Sequence, residues 1–142
     1  LREDLGGAYG VSVNGGGSHF PKPKYAVSMS FGCDPDRVEE LTTVVFSQID
    51  SLKSSGPGLE YVHKVQEGAK RSHEVRLKEN SYWRGYLSAS DFHSLDPTRI
   101  LRYAAMVDSL TPKAVQAAAQ RYLDMENYVH VVLVPEENRG SE

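Results

Sequence analysis

Two stretches that alternate bulky and small residues, followed by apolar residues at three- and four-residue spacings, predict an α+β fold. The expected arrangement is a two-layer sandwich, a mainly antiparallel sheet covered on one face by helices. Size is the third observation: 142 residues suit one compact body. Residues 1–135 are expected to form part of a single α/β domain that begins upstream of Leu1. The polar residues 136–142 are expected to be a flexible tail.

The elements follow in order. Tyr9, Val11 and Val13 alternate with Ala8, Gly10 and Ser12, the pattern of a strand with one bulky face. The glycine- and proline-rich NGGGSHFPKPK reads as a loop. Tyr25, Val27, Met29 and Phe31 then alternate with Ala26, Ser28 and Ser30, an antiparallel neighbour to the first strand. The bulky face should lie under helices and the small face should border solvent.

Asp34-Pro35 marks a helix start, a capping carboxylate followed by proline at the first helical position. Val38, Leu41, Val45, Ile49 and Leu52 continue it, and SSGPG stops it. A charged helix is expected from Leu59 to Glu79, with Glu60–Lys64, Glu67–Arg71 and Glu74–Lys78 as i,i+4 pairs. A helix around Trp83, Tyr86 and Leu87 comes next, with Gly85 weakening it. Asp96-Pro97 and Thr111-Pro112 repeat the start device, the latter leading into Val115, Ala118, Ala119, Tyr122 and Leu123. YVHVVLV, residues 128–134, reads as a closing strand ended by Pro135.

Composition excludes several functions. Sixteen Lys/Arg against nineteen Asp/Glu leave a net charge of −3, without the basic field that nucleic acid requires. No apolar run reaches the roughly 20 residues of a membrane span. Cys33 is the single cysteine, so there is no disulfide framework or thiolate cluster, and it reads as a small buried hydrophobe. GGAYG and GGG lack the Lys-Ser/Thr and the βαβ setting of a phosphate loop and read as turn glycines. His63 and Glu67 share a helix face, with His73-Glu74 two turns on, but surface histidines at such spacing are far commoner than ligands. His130 reads as a half-buried strand residue. Tyr82, Trp83 and Tyr86 read as core or groove lining.

The opening LREDLGGAYG carries more. LRED has the composition of a helix end, Gly6-Gly7 makes a turn, and Tyr9 starts the strand. Arg2 and Tyr9, with the hairpin, the DPDRVEEL helix, the long charged helix, NSYWRGYL, TPKAVQAAAQRYL and NYVHVVLVP in that order, resemble the C-terminal, non-zinc half of the pitrilysin/insulinase family of zinc metallopeptidases. The likeness is to its bacterial processing-protease-like members and covers Leu1 to Pro135.

The resemblance implies a metalloendopeptidase domain whose H-x-x-E-H zinc motif lies in another domain or subunit; that motif does not occur in these 142 residues. By position, Arg2 and Tyr9 are the Arg and Tyr that reach across to peptide held at the zinc. Zn2+ would belong to the full-length enzyme and not to this chain. The implied partners are the zinc-carrying half and peptide substrate, in a bacterial cytoplasm or periplasm, with self-association possible through an exposed sheet edge. The chemistry agrees: a phenol and a guanidinium stabilise the oxyanion of a tetrahedral intermediate. Two alternatives stay open. Arg2 pairs with a carboxylate while Tyr9 packs in the sheet, or the chain is a family-derived scaffold or core subunit acting in assembly.

Overall fold

A computed structural model describes residues 8–135, with side chains from Gly10 onward. Arg2, the LRED helix end and the tail 136–142 lie outside the described residues. The architecture is α+β, with one antiparallel two-stranded sheet followed by a series of helices among the described residues. The chain divides into two compact units, Leu1–Lys53 with Ala119–Glu142, and Ser54–Ala118.

In the first unit, β1 (Ala8–Ser18) pairs with β2 (Lys24–Cys33). Val11 faces Phe31, Val13 faces Met29, Gly15 faces Val27 and Gly17 faces Tyr25, so the bulky residues share one side. Ser12–Ser30, Asn14–Ser28 and Gly16–Ala26 form the other. The glycines of NGGG therefore lie within the ladder and not in a loop, each bulky β2 residue at that end facing a position without a side chain. The connection shortens to residues 19–23 and contains a cis Phe20–Pro21 bond. The bulky side is less covered than the alternation implies: Val13 and Tyr25 are exposed, although Tyr25 meets the edge of Tyr122 at 5.0 Å between ring centroids.

A 3-10 turn, Pro35–Arg37, opens α1 (Val38–Ser55). Its cap is the expected one: the Asp36 N–H donates to the Asp34 carboxylate at 3.0 Å. Leu41 is fully buried on this helix and Ile49 nearly so. At its last turn, Gln120 donates through Nε2 to the Lys53 carbonyl at 2.7 Å, and Lys53 donates through Nζ to the Leu123 carbonyl at 3.1 Å. Side chains thus satisfy carbonyls that a helix end leaves over.

The second unit holds α2 (Leu59–Arg76), α3 (Asn80–Phe92), a 3-10 helix (Pro97–Arg102) and α4 (Tyr103–Asp108). It also holds the first part of α5 (Pro112–Tyr122). Asp96 caps the 3-10 helix by accepting from the Thr98 N–H at 2.9 Å, and Thr111 caps α5 by accepting from the Ala114 N–H at 3.1 Å. α2 packs on α4. Gln66 on α2 donates to the carbonyls of Val107 and Leu110 at 3.1 and 3.0 Å, closing the C-terminal end of α4, with Lys70 and Asp108 paired at 2.7 Å alongside. Val62, Ile100 and Val107 are the buried apolar side chains here.

Three expectations need correction. Residues 128–134 belong to no helix or strand. β1 and β2 spend their facing edges on each other, and a strand without a partner gains no ladder bonds. Period two still marks the segment: Val129 and Leu133 are 89% and 94% exposed, Val132 and Val134 44% and 41%. His130 accordingly is exposed and not half-buried. The i,i+4 pairs expected along α2 do not close to ion-pair distance among the described residues, where the ion pairs are Arg37–Glu40, Lys70–Asp108 and Arg102–Asp96. Exposed pairs gain little against the entropy of fixing two long side chains.

Candidate functional site

The predicted site has two residues. Arg2 is outside the described residues. Tyr9 lies in β1 at an irregularity: Ala8 pairs with Cys33 and Gly10 with Gly32, so β1 advances two residues while β2 advances one. Tyr9 is the extra residue of a β-bulge. The period-two count through Val11 and Val13 therefore stops at Gly10 and says nothing of residue 9. Counting Tyr9 onto the bulky face assumed an unbroken ladder.

Beyond the bulge, the small-residue side of the hairpin borders open space. Asn14, Gly16, Ala26 and Ser28 line a shallow depression of about 500 Å³. The Ser12 and Ser30 hydroxyls face each other at 2.8 Å across the ladder, joining the strands without adding bulk. This side combines little side-chain volume with polar groups.

Charge just after β2 comes from the 3-10 turn and the first turn of α1. Arg37 donates to both oxygens of Glu40, through Nε at 3.0 Å and Nη2 at 2.9 Å. That hydrogen bonding and the guanidinium charge hold the Glu40 carboxyl below its usual range. The pair is solvent-exposed and positions the first turn of the helix.

No three His, Cys, Asp or Glu side chains cluster with metal-site geometry among the described residues. His63 and Glu67 therefore gain no third ligand there. His73 has another role that sequence reasoning missed. It is buried, its Nδ1 lies 3.2 Å from the Tyr82 hydroxyl, and its ring stacks on Tyr103 at 4.2 Å. Arg76 sits over the Tyr82 ring at 5.0 Å. No local pattern announces this cluster, because its members come from α2, α3 and α4. Trp83 turns instead to the chain before α3, donating through Nε1 to the Leu77 carbonyl at 2.8 Å.

No family model matches the chain. Over 124 residues, 80% of its length, it is 33% identical to the Arabidopsis thaliana protein "Zinc protease PQQL-like", of which it spans 13%. Among solved structures it matches the periplasmic protease PqqL from Escherichia coli with a TM-score of 0.68 at 22% identity. That match covers 87% of this chain and 14% of the bacterial one. The same helix-rich α+β arrangement thus occurs as one segment within the much larger bacterial protein. The likeness to pitrilysin-type zinc metallopeptidases read from the sequence is supported by homology to a zinc protease, and the chain spans less than a sixth of either relative.

Proposed function

We propose that the chain is the non-catalytic C-terminal part of a zinc metalloendopeptidase, binding peptide and completing an active site whose zinc ligands lie in another domain or subunit. Sequence identity of 33% over four-fifths of the chain to a zinc protease carries this reading. The sequence contains no H-x-x-E-H, so in this reading the zinc ligands come from elsewhere. In this reading zinc, held elsewhere, polarises the scissile carbonyl.

The chain's own contribution is two donors. The Tyr9 hydroxyl donates a hydrogen bond to the carbonyl oxygen as negative charge develops on it, and the Arg2 guanidinium adds positive charge beside it. A bulge suits such a task, because it takes one residue out of the ladder's alternation without unravelling the strand. The small-residue side of the hairpin leaves room for an extended peptide.

The test is Tyr9→Phe in the full-length enzyme. A donor that acts in the transition state lowers kcat with little change in KM, by roughly 100-fold or more at the scale of one oxyanion donor. A folded variant with unchanged kcat returns Tyr9 to a packing role. A wild-type full-length protein without peptidase activity favours the scaffold alternative.

A further inference from the structure

The second unit contains a cleft that the proposed peptidase role does not use. It is about 650 Å³, within the range of small-molecule sites, and lies between α3, the 3-10 helix and α4. Its apolar lining includes Leu95, Ile100 and Met106 with the rings of Tyr86 and Tyr103. The charged residues lining it are Arg99 and Arg102; no carboxylate does.

The two arginines differ. Arg102 donates to Asp96 at 3.2 Å, which also holds the cap of the 3-10 helix. The Arg99 backbone N–H donates to the Asp96 carbonyl at 3.2 Å, but among the described residues its guanidinium makes no hydrogen bond or ion pair and feels Asp96 only as a more distant charge. Among the described residues the Tyr86 and Tyr103 hydroxyls likewise have no hydrogen-bond partner. The wall behind them is fixed, since Tyr103 is stacked on buried His73 and Tyr82 is bonded to it. The surrounding unit is basic, with nine Lys/Arg against seven Asp/Glu in Ser54–Ala118 although the whole chain stands at −3.

We infer that this cleft is a binding site for small carboxylates with an apolar, preferably aromatic, body. Leu95, Ile100, Met106 and the tyrosine rings take the body, and Arg99 takes the carboxylate. A guanidinium matches a planar carboxylate with two parallel N–H donors, which a neutral amide cannot reproduce. The inference is independent of the peptidase reading, because it uses none of Arg2, Tyr9 or zinc.

Indole-3-acetate and its neutral isostere indole-3-acetamide test it on the intact chain by amide-resolved NMR titration. The acid should saturate in the millimolar range or below, shifting amides around Leu95, Ile100 and Tyr103, and should bind about tenfold tighter than the amide, equivalent to about 1.4 kcal/mol. Arg99→Gln, at an exposed position, should remove that preference while leaving amide binding unchanged. Equal affinity for acid and amide, shifts confined to other regions, or no saturation by either probe at roughly ten times that range would each overturn the inference.

Discussion

Tyr82→Phe removes one oxygen atom and should cost more stability than its size implies. The hydroxyl lies 3.2 Å from His73 Nδ1 and is its hydrogen-bond partner, and His73 is only 7% exposed. Without it a buried polar nitrogen is left unpaired, a loss of about 1–3 kcal/mol. Tyr82 lines the cleft, so water reaches part of the vacated position and the lower half of that range applies. At roughly 3–4 °C per kcal/mol for a chain of this size, the melting temperature should fall by about 3–8 °C. His73→Phe should be milder: the stack on Tyr103 persists in aromatic form, and the Tyr82 hydroxyl left behind can bond to water in the cleft. The double variant should lose less than the two single losses combined, because the second change removes a group already without its partner. Thermal unfolding followed by circular dichroism measures all three. A Tyr82→Phe melting temperature within 1 °C of wild type, or a His73→Phe loss exceeding it, would show that the pair does not hold the second unit together.

Three further outcomes follow from single positions. Gly56 has φ +70° and an added Cβ would meet the Pro112 carbonyl at 3.2 Å and Gln116 Cβ at 3.3 Å, so Gly56→Ala should destabilise by about 1–2 kcal/mol in chemical denaturation; a neutral or stabilising result refutes this. The Asp96 carboxyl is held below its usual range, first by the Thr98 hydroxyl, then by the Thr98 N–H and the Arg102 charge. A lowered folded-state value means this contribution is present above the unfolded value near pH 4 and is lost as pH falls through the folded one. Asp96→Ala should therefore flatten the acid limb of the melting-temperature profile, and an unchanged limb counts against it. The chain should self-associate at tens of micromolar through the exposed, unpaired apolar segment 128–134, as sedimentation velocity would show; a strictly monomeric chain contradicts it, and Val131→Lys should reduce association.

How much was legible depends on whether the determining interaction is local. The three proline-led starts at Pro35, Pro97 and Pro112 are written in two adjacent residues each, and helical structure begins at each of them. The hairpin register follows from alternation that matches across the pair. The glycines of β1 look like a turn from the sequence because glycine by itself marks turns, but it serves a ladder when a bulky neighbour stands opposite. The segment 128–134 has the right period, yet a strand exists only with a partner, which no local pattern supplies. His73 shows the same limit, since its surroundings are assembled from three helices. Residue 9 was obscured by an assumption of unbroken count.

That extra residue in β1 has a consequence for comparing sequences. In a bulged strand, distance along the chain and position on the sheet come apart by one step. Two proteins with Arg and Tyr seven positions apart carry the same text, but they differ in geometry if only one has the bulge. Conversely, a one-residue deletion beside Gly10 can be absorbed by closing the bulge, leaving everything C-terminal to it in register. Alignments that penalise such a gap as they would one in an unbroken strand will score a tolerated change as damage, and spacing alone will pair tyrosines whose surroundings differ.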